Sequence, residues 1–150
     1  MKYILTIVLA TMIALPVFCQ SDSGIFLSVQ CAKKSPRQTV LITNKQVCLA
    51  ANPIILATEF TAVTDVRLQA DKISFDLTLS QKAAQTLMQI SANLPNSTFA
   101  LVVEKDIFYV FPASDLTVNR TFRFQGTGKD QQVFNNIQKK LKTIVASRTQ

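Results

Sequence analysis

The sequence predicts an α+β domain, a largely antiparallel sheet with two helices packed on one face. Three observations carry this prediction. Ile73, Phe75, Leu77 and Leu79 alternate with polar residues, the period of a half-buried strand. Ala83, Leu87, Ile90 and Leu94, and later Val133, Phe134, Ile137, Leu141 and Ile144, recur at helical spacing. Between these stripes lie two apolar runs, FALVV and IFYVF, separated by Glu104, Lys105 and Asp106 as in a hairpin. From Lys72 the order is therefore strand, helix, strand, strand, strand, helix, a pattern that packs helices on an antiparallel sheet.

The first residues, MKYILTIVLATMIALPVFCQ, follow a different rule. Lys2 precedes an apolar run that Pro16 ends, and the run is too short for a spanning helix. Residues 1–19 are expected to be a secretory signal peptide, cleaved after Cys19. A second reading makes Cys19 the lipidated residue of a bacterial lipoprotein, although the bulky Phe18 before it suits that processing poorly. Residues 20–45 form an N-terminal strand and loop extension, residues 46–146 the α+β domain and residues 147–150 a polar tail. No second long apolar run follows, so the mature form is expected not to span a membrane.

In the extension, residues 25–31 read as a strand and residues 32–38 as a loop around Pro36. Residues 39–42 and 46–49 are short strand candidates. Asn52 and Pro53 begin a turn, and residues 58–63 are expected to form one helical turn capped by Thr58. The strand at residues 73–79 runs into Ser80, the expected N-cap of the first helix, which Pro95 and Asn96 stop. In IFYVF, simple alternation puts Ile107, Tyr109 and Phe111 on one face and Phe108 and Val110 on the other. Residues 120–125 alternate again, with Phe122 and Phe124 together. Gly126 and Gly128 bracket a turn, and Asp130 is the expected cap of the last helix. Lys139, Lys140 and Lys142 fall where cations suit its dipole.

Composition narrows the chemistry. There is no histidine, which removes imidazole bases, Ser-His and Cys-His nucleophile systems and most zinc sites. No metal or other cofactor is expected. Asp76 and Glu104 are the least unfavourable acid pair among scattered carboxylates. Gly126, Thr127, Gly128 and Lys129 before a helix read as a turn and cap rather than an anion-binding loop. The net charge of +7 becomes +6 without Lys2, but the basic residues are spread and lack interleaved aromatics. No nucleic-acid partner is expected. Asn96 and Asn119 open formal glycosylation sequons, relevant only in a eukaryotic secretory route. Cys31 and Cys48 survive signal removal and form a candidate disulfide in an oxidising compartment; the alternative is two small buried residues that never meet.

Four stretches carry a family resemblance: VCLAANPIILATEFTAV, ISFDLTLSQKAAQTLMQI, TFALVVEKDIFYVFP and FRFQGTGKDQQVFNNIQKKL. Over residues 46–145 their order resembles the head subdomain of the first large periplasmic domain of the bacterial export factor SecD. Phe75, Leu77, Thr78 and Ala83 match its strand-to-helix block. Ala100, Leu101, Val102, Val103, Val110 and Pro112 match its hairpin. Phe124, Gly126 and the helix at residues 133–141 match its closing block. The hairpin's usual Asp-Gly is replaced here by Glu104, Lys105 and Asp106, and a glycine near the start of the first helix is absent. The membrane helices through which SecD takes part in proton-coupled export have no counterpart in these residues. The resemblance implies the fold, a periplasmic setting and a surface that contacts polypeptide.

The sequence thus predicts an exported, non-catalytic binding or interaction module of the bacterial cell envelope, with a protein or peptide partner that it does not identify. Phe108, Tyr109 and Val110 form a candidate binding strip; the alternative is a strand covered on both faces. Two other functions stand beside this one. They are an envelope hydrolase using Asp76 and Glu104, and a wall-associated structural protein held by its basic surface.

Overall fold

A computed structural model describes residues 22–115 and 120–148; the expected signal peptide, Cys19 and Asn119 lie outside them. The chain is α+β, with antiparallel pairing throughout both sheets, as the alternation predicts. The strands, however, divide between two sheets. One follows the order β2 (Gln38–Thr39), β3 (Gln46–Leu49), β1 (Gly24–Val29), β8 (Thr98–Val103) and β9 (Asp106–Pro112), with β4 (Ile55–Leu56) also on β1. The other follows β10 (Thr121–Thr127), β7 (Lys72–Leu79) and β5 (Phe60–Val63), with β6 (Arg67–Gln69) also on β7.

The first sheet curls on itself. Val40, just after β2, forms a parallel bridge to Ile107 of β9, and the Leu41 N–H donates to the Ile107 carbonyl at 2.8 Å. The two ends of the strand order therefore meet. Inside the curl sits a small apolar cluster of Phe26, Val40, Ala100, Val102 and Ile107.

The main core lies between the sheets and is closed by α1 (Gln81–Asn93) and α2 (Gln131–Ala146). Ser80 caps α1, accepting from the Ala83 N–H at 3.1 Å, and Ala83, Ala84 and Leu87 are its buried residues. From α2, Phe134, Ile137 and Leu141 enter the same core. The ring of Phe134 needs Gly126 beneath it, because a Cβ there would lie 2.6 Å from its Cε2 atom. Asp130 does not cap α2 directly. It accepts from the Thr127 N–H at 2.8 Å in a capping box on the short 3₁₀ turn that leads into the helix.

Residues 58–63 depart from the expected helical turn. Only residues 57–59 coil, as a 3₁₀ turn without a side-chain cap, and Phe60 onward pairs with β7. The open edge of β7 and the full burial of Phe60 outweigh the local capping signal. Both two-residue hairpin turns, Ala70 with Asp71 and Glu104 with Lys105, have positive φ at both positions without a glycine (45°, 64°, 50° and 74°).

Alternation also fails in IFYVF. Leu101 pairs with Tyr109, but Val102 pairs with Ile107, so Phe108 is the extra residue of a β-bulge. The bulge turns Phe108 to the same side as Tyr109 and Phe111, against the main core, while Ile107 and Val110 pack on the cluster within the curl. Phe108 then meets Phe134 at 5.1 Å, Phe75 at 5.6 Å and Phe124 at 5.8 Å between ring centroids.

Truncation of that ring by Phe108→Ala is expected to cost about 3–5 kcal/mol in denaturant unfolding; a loss under about 1 kcal/mol would show that the bulge is not a keystone. Cys31 and Cys48 lie at disulfide-bonding distance, Cα atoms 5.3 Å apart, and close the loop between β1 and β3. Reduction, or Cys31→Ser with Cys48→Ser, is expected to lower stability by about 3 kcal/mol. An unfolding midpoint insensitive to reductant would contradict this.

Candidate functional site

A groove of about 1040 Å³ lies beside the curled sheet. The curl creates it. Phe26 of β1 and Val102 of β8 are neighbouring residues of the inner cluster, and both reach its floor. One wall is the stretch from Leu49 to β4, including Pro53, Ile54 and Leu56. Pro36 and Gln38 from the disulfide-closed loop also line the groove. Gly24 lets β1 and β4 approach, since a Cβ there would lie 2.5 Å from the Ile55 carbonyl oxygen. Leu56 stays 47% exposed on β4, whose only strand partner among the described residues is β1.

The groove's charged residues are Asp22 and Lys105, which face each other at 3.7 Å. The Lys105 N–H also donates to the Asp22 carbonyl, and the Glu104 N–H to the Ser23 hydroxyl, both at 2.8 Å. The tight β8–β9 turn is thereby fastened to the start of β1. From the other side, the Lys140 ammonium reaches Glu104 at 2.9 Å and Asp106 at 3.7 Å. The hydrogen bond to Glu104 raises the Lys140 pKa.

The sequence-predicted strip is not one surface. Phe108 is fully buried, Tyr109 is half-buried with its ring 5.4 Å from Phe124, and Val110 packs on the inner cluster. The bulge, invisible to an alternation rule, is the reason. Burial raises the Tyr109 pKa first, the negative charge of Asp115 adds to that, and a hydrogen bond from the Gln125 backbone opposes both.

Asp76 and Glu104 do not share a site chemically. Asp76, on the outer face of β7, takes a two-pronged hydrogen bond from Arg123 of β10, at 2.8 and 3.1 Å. That bond holds its carboxyl below the ordinary range. Glu104 sits at the β8–β9 turn with Lys140. An acid catalyst needs the opposite environment from Asp76, one that keeps a proton on the carboxyl. At the start of α2 the Thr127 N–H is taken by Asp130 and the Gly128 N–H by the Asp71 carbonyl, so the turn's donors serve the fold. Among the described residues, no three His, Cys, Asp or Glu side chains gather where they could hold a metal ion, and no helix is long and apolar enough to cross a membrane.

The groove itself was missed in the sequence. Its floor comes from strands far apart in the chain, and its rim from residues 49–56, which lack a strand or helix period. Comparison with protein-family models, with curated proteins and with solved structures found no match.

Asp76 provides a pH test. Its folded-state pKa lies below the ordinary 3.8, so its pairing stabilises the protein above that value and is lost as pH falls through the lower, folded value. Asp76→Asn is therefore expected to be less stable than the parent at neutral pH and to converge with it in strong acid. A stability gap that stays constant down the acid limb would rule out this coupling.

Proposed function

We propose that the protein is an exported, non-catalytic module of the bacterial cell envelope that binds extended polypeptide in the groove beside the curled sheet. The observation that carries this reading is the groove's lining: an aliphatic and aromatic floor with a β4 edge beside it. Extended peptides use this combination, since a strand edge supplies main-chain hydrogen bonds and pockets select side chains. The disulfide-distance cysteines support an oxidising compartment, and hence the reading of residues 1–19 as a signal peptide. The resemblance of the ordered motifs to the SecD head supports a polypeptide-contacting role.

A photo-crosslinking residue placed at Leu56 tests this reading, with the same residue at Met88 as control. Both side chains are about equally exposed, 47% and 52%, but Met88 lies on α1 away from the groove. With an unfolded model polypeptide, adducts are expected from position 56 and not from position 88. Equal labelling, or none at 56, would refute the groove as a binding site.

A further inference from the structure

We infer that the groove selects extended segments carrying acidic residues among aliphatic ones, with the disulfide-closed loop supplying the charge that recognises them; this rests on the peptide-binding reading above. The charge distribution is lopsided. Residues 23–58 contain no acid but carry Lys33, Lys34, Arg37 and Lys45, all four within the loop that Cys31 and Cys48 close. Elsewhere four of the eleven described cations are ion-paired: Lys105 with Asp22, Arg123 with Asp76, Lys140 with Glu104 and Asp106, and Lys142 with Asp65. Among the described residues none of the four loop cations makes an ion pair, and all four are exposed.

The loop also belongs to the groove. Pro36 and Gln38 line it, and the four cations lie along the same loop, outside the lining itself. The groove's own charges, Asp22 and Lys105, balance each other, so the net positive charge beside it is that of the loop. The stretch between Cys31 and Cys48 holds no aromatic residue on which a nucleic-acid base could stack, which favours an acidic peptide over a nucleic acid. The loop's anchorage matters too. Its two ends are held by the cysteines, and β2 pairs with β3 within it, so the loop that carries the cations is a fixed wall of the groove. Opposite charge near such a wall speeds encounter, and like charge is excluded, so the groove gains selectivity as well as affinity.

The test uses three short peptides, alternating leucine with glutamate, with glutamine or with lysine, titrated against the oxidised protein by fluorescence anisotropy. The expected order of affinity is glutamate, glutamine, lysine, with roughly tenfold between the extremes at low salt and a smaller spread at high salt. Lys33→Glu, Lys34→Glu and Arg37→Glu combined should reverse the order; these positions are exposed, and unchanged circular dichroism would confirm folding. Lys129→Glu, in the 3₁₀ turn before α2 and outside the disulfide-closed loop, should leave it unaltered. If all three peptides bind equally, the acidic preference is wrong while peptide binding stands. If none binds, the groove reading itself fails, and this inference with it.

Discussion

Phe108 touches Phe75 and Phe124 of the facing sheet and Phe134 of α2, with every centroid separation between 5.1 and 5.8 Å. The contact joins three parts of the fold that are otherwise distant in sequence. It exists because β9 carries one residue more than β8 at that point, which rotates Phe108 off the face that alternation would assign it. The same bulge leaves Ile107 on the inner side, where it bridges Val40 and closes the curl. One extra residue thus serves the main core and the small cluster together. Aromatic rings suit this task, since each buries a large area and tolerates tilted and edge-on neighbours. Every described phenylalanine is buried.

The polar framework divides along similar lines. Around the main core, charges are used to fasten elements to one another: Lys140 ties α2 to the β8–β9 turn, and Lys142 and Gln138 tie it to the loop before β6. The lysine links are exposed and each adds little stability by itself, whereas the Gln138 side chain is buried; together they orient the helix. The disulfide-closed loop lacks such links. Its positive charge is left facing solvent at the border of an apolar groove, where a partner's carboxylates could meet it.

Much of the α+β framework is legible in the sequence alone. The eight-residue alternation of β7 is long enough to declare itself, and its switch to helical spacing at Ser80 coincides with an N-cap hydroxyl that accepts from the Ala83 N–H. Gly128 is legible as a turn residue, but Gly126 lies within β10, where the ring of Phe134 requires it. Less was legible where elements are short. β4 has two residues and β6 three, too few for any period to show. Thr58 looked like a cap because its neighbours along the chain permit one, but the nearby edge of β7 recruits Phe60 into a sheet instead. The binding strip failed for the opposite reason: the pattern in IFYVF is clean, and the bulge that breaks it depends on β8.

The sequence by itself determined the mixed class, the two helices, the Ser80 cap of the first, the hairpin, the absence of imidazole chemistry and the acid-free cationic stretch. Each depends on residues close along the chain or on composition, and so needs no partner to be read. Tertiary structure decided the split into two sheets, the curl that brings Val40 to Ile107, the bulge at Phe108 and the approach of Cys31 to Cys48. It also decided the groove, whose floor and walls come from four separate stretches. These features arise from long-range pairing, in which the strand a residue meets, rather than its own neighbours, sets the face it presents.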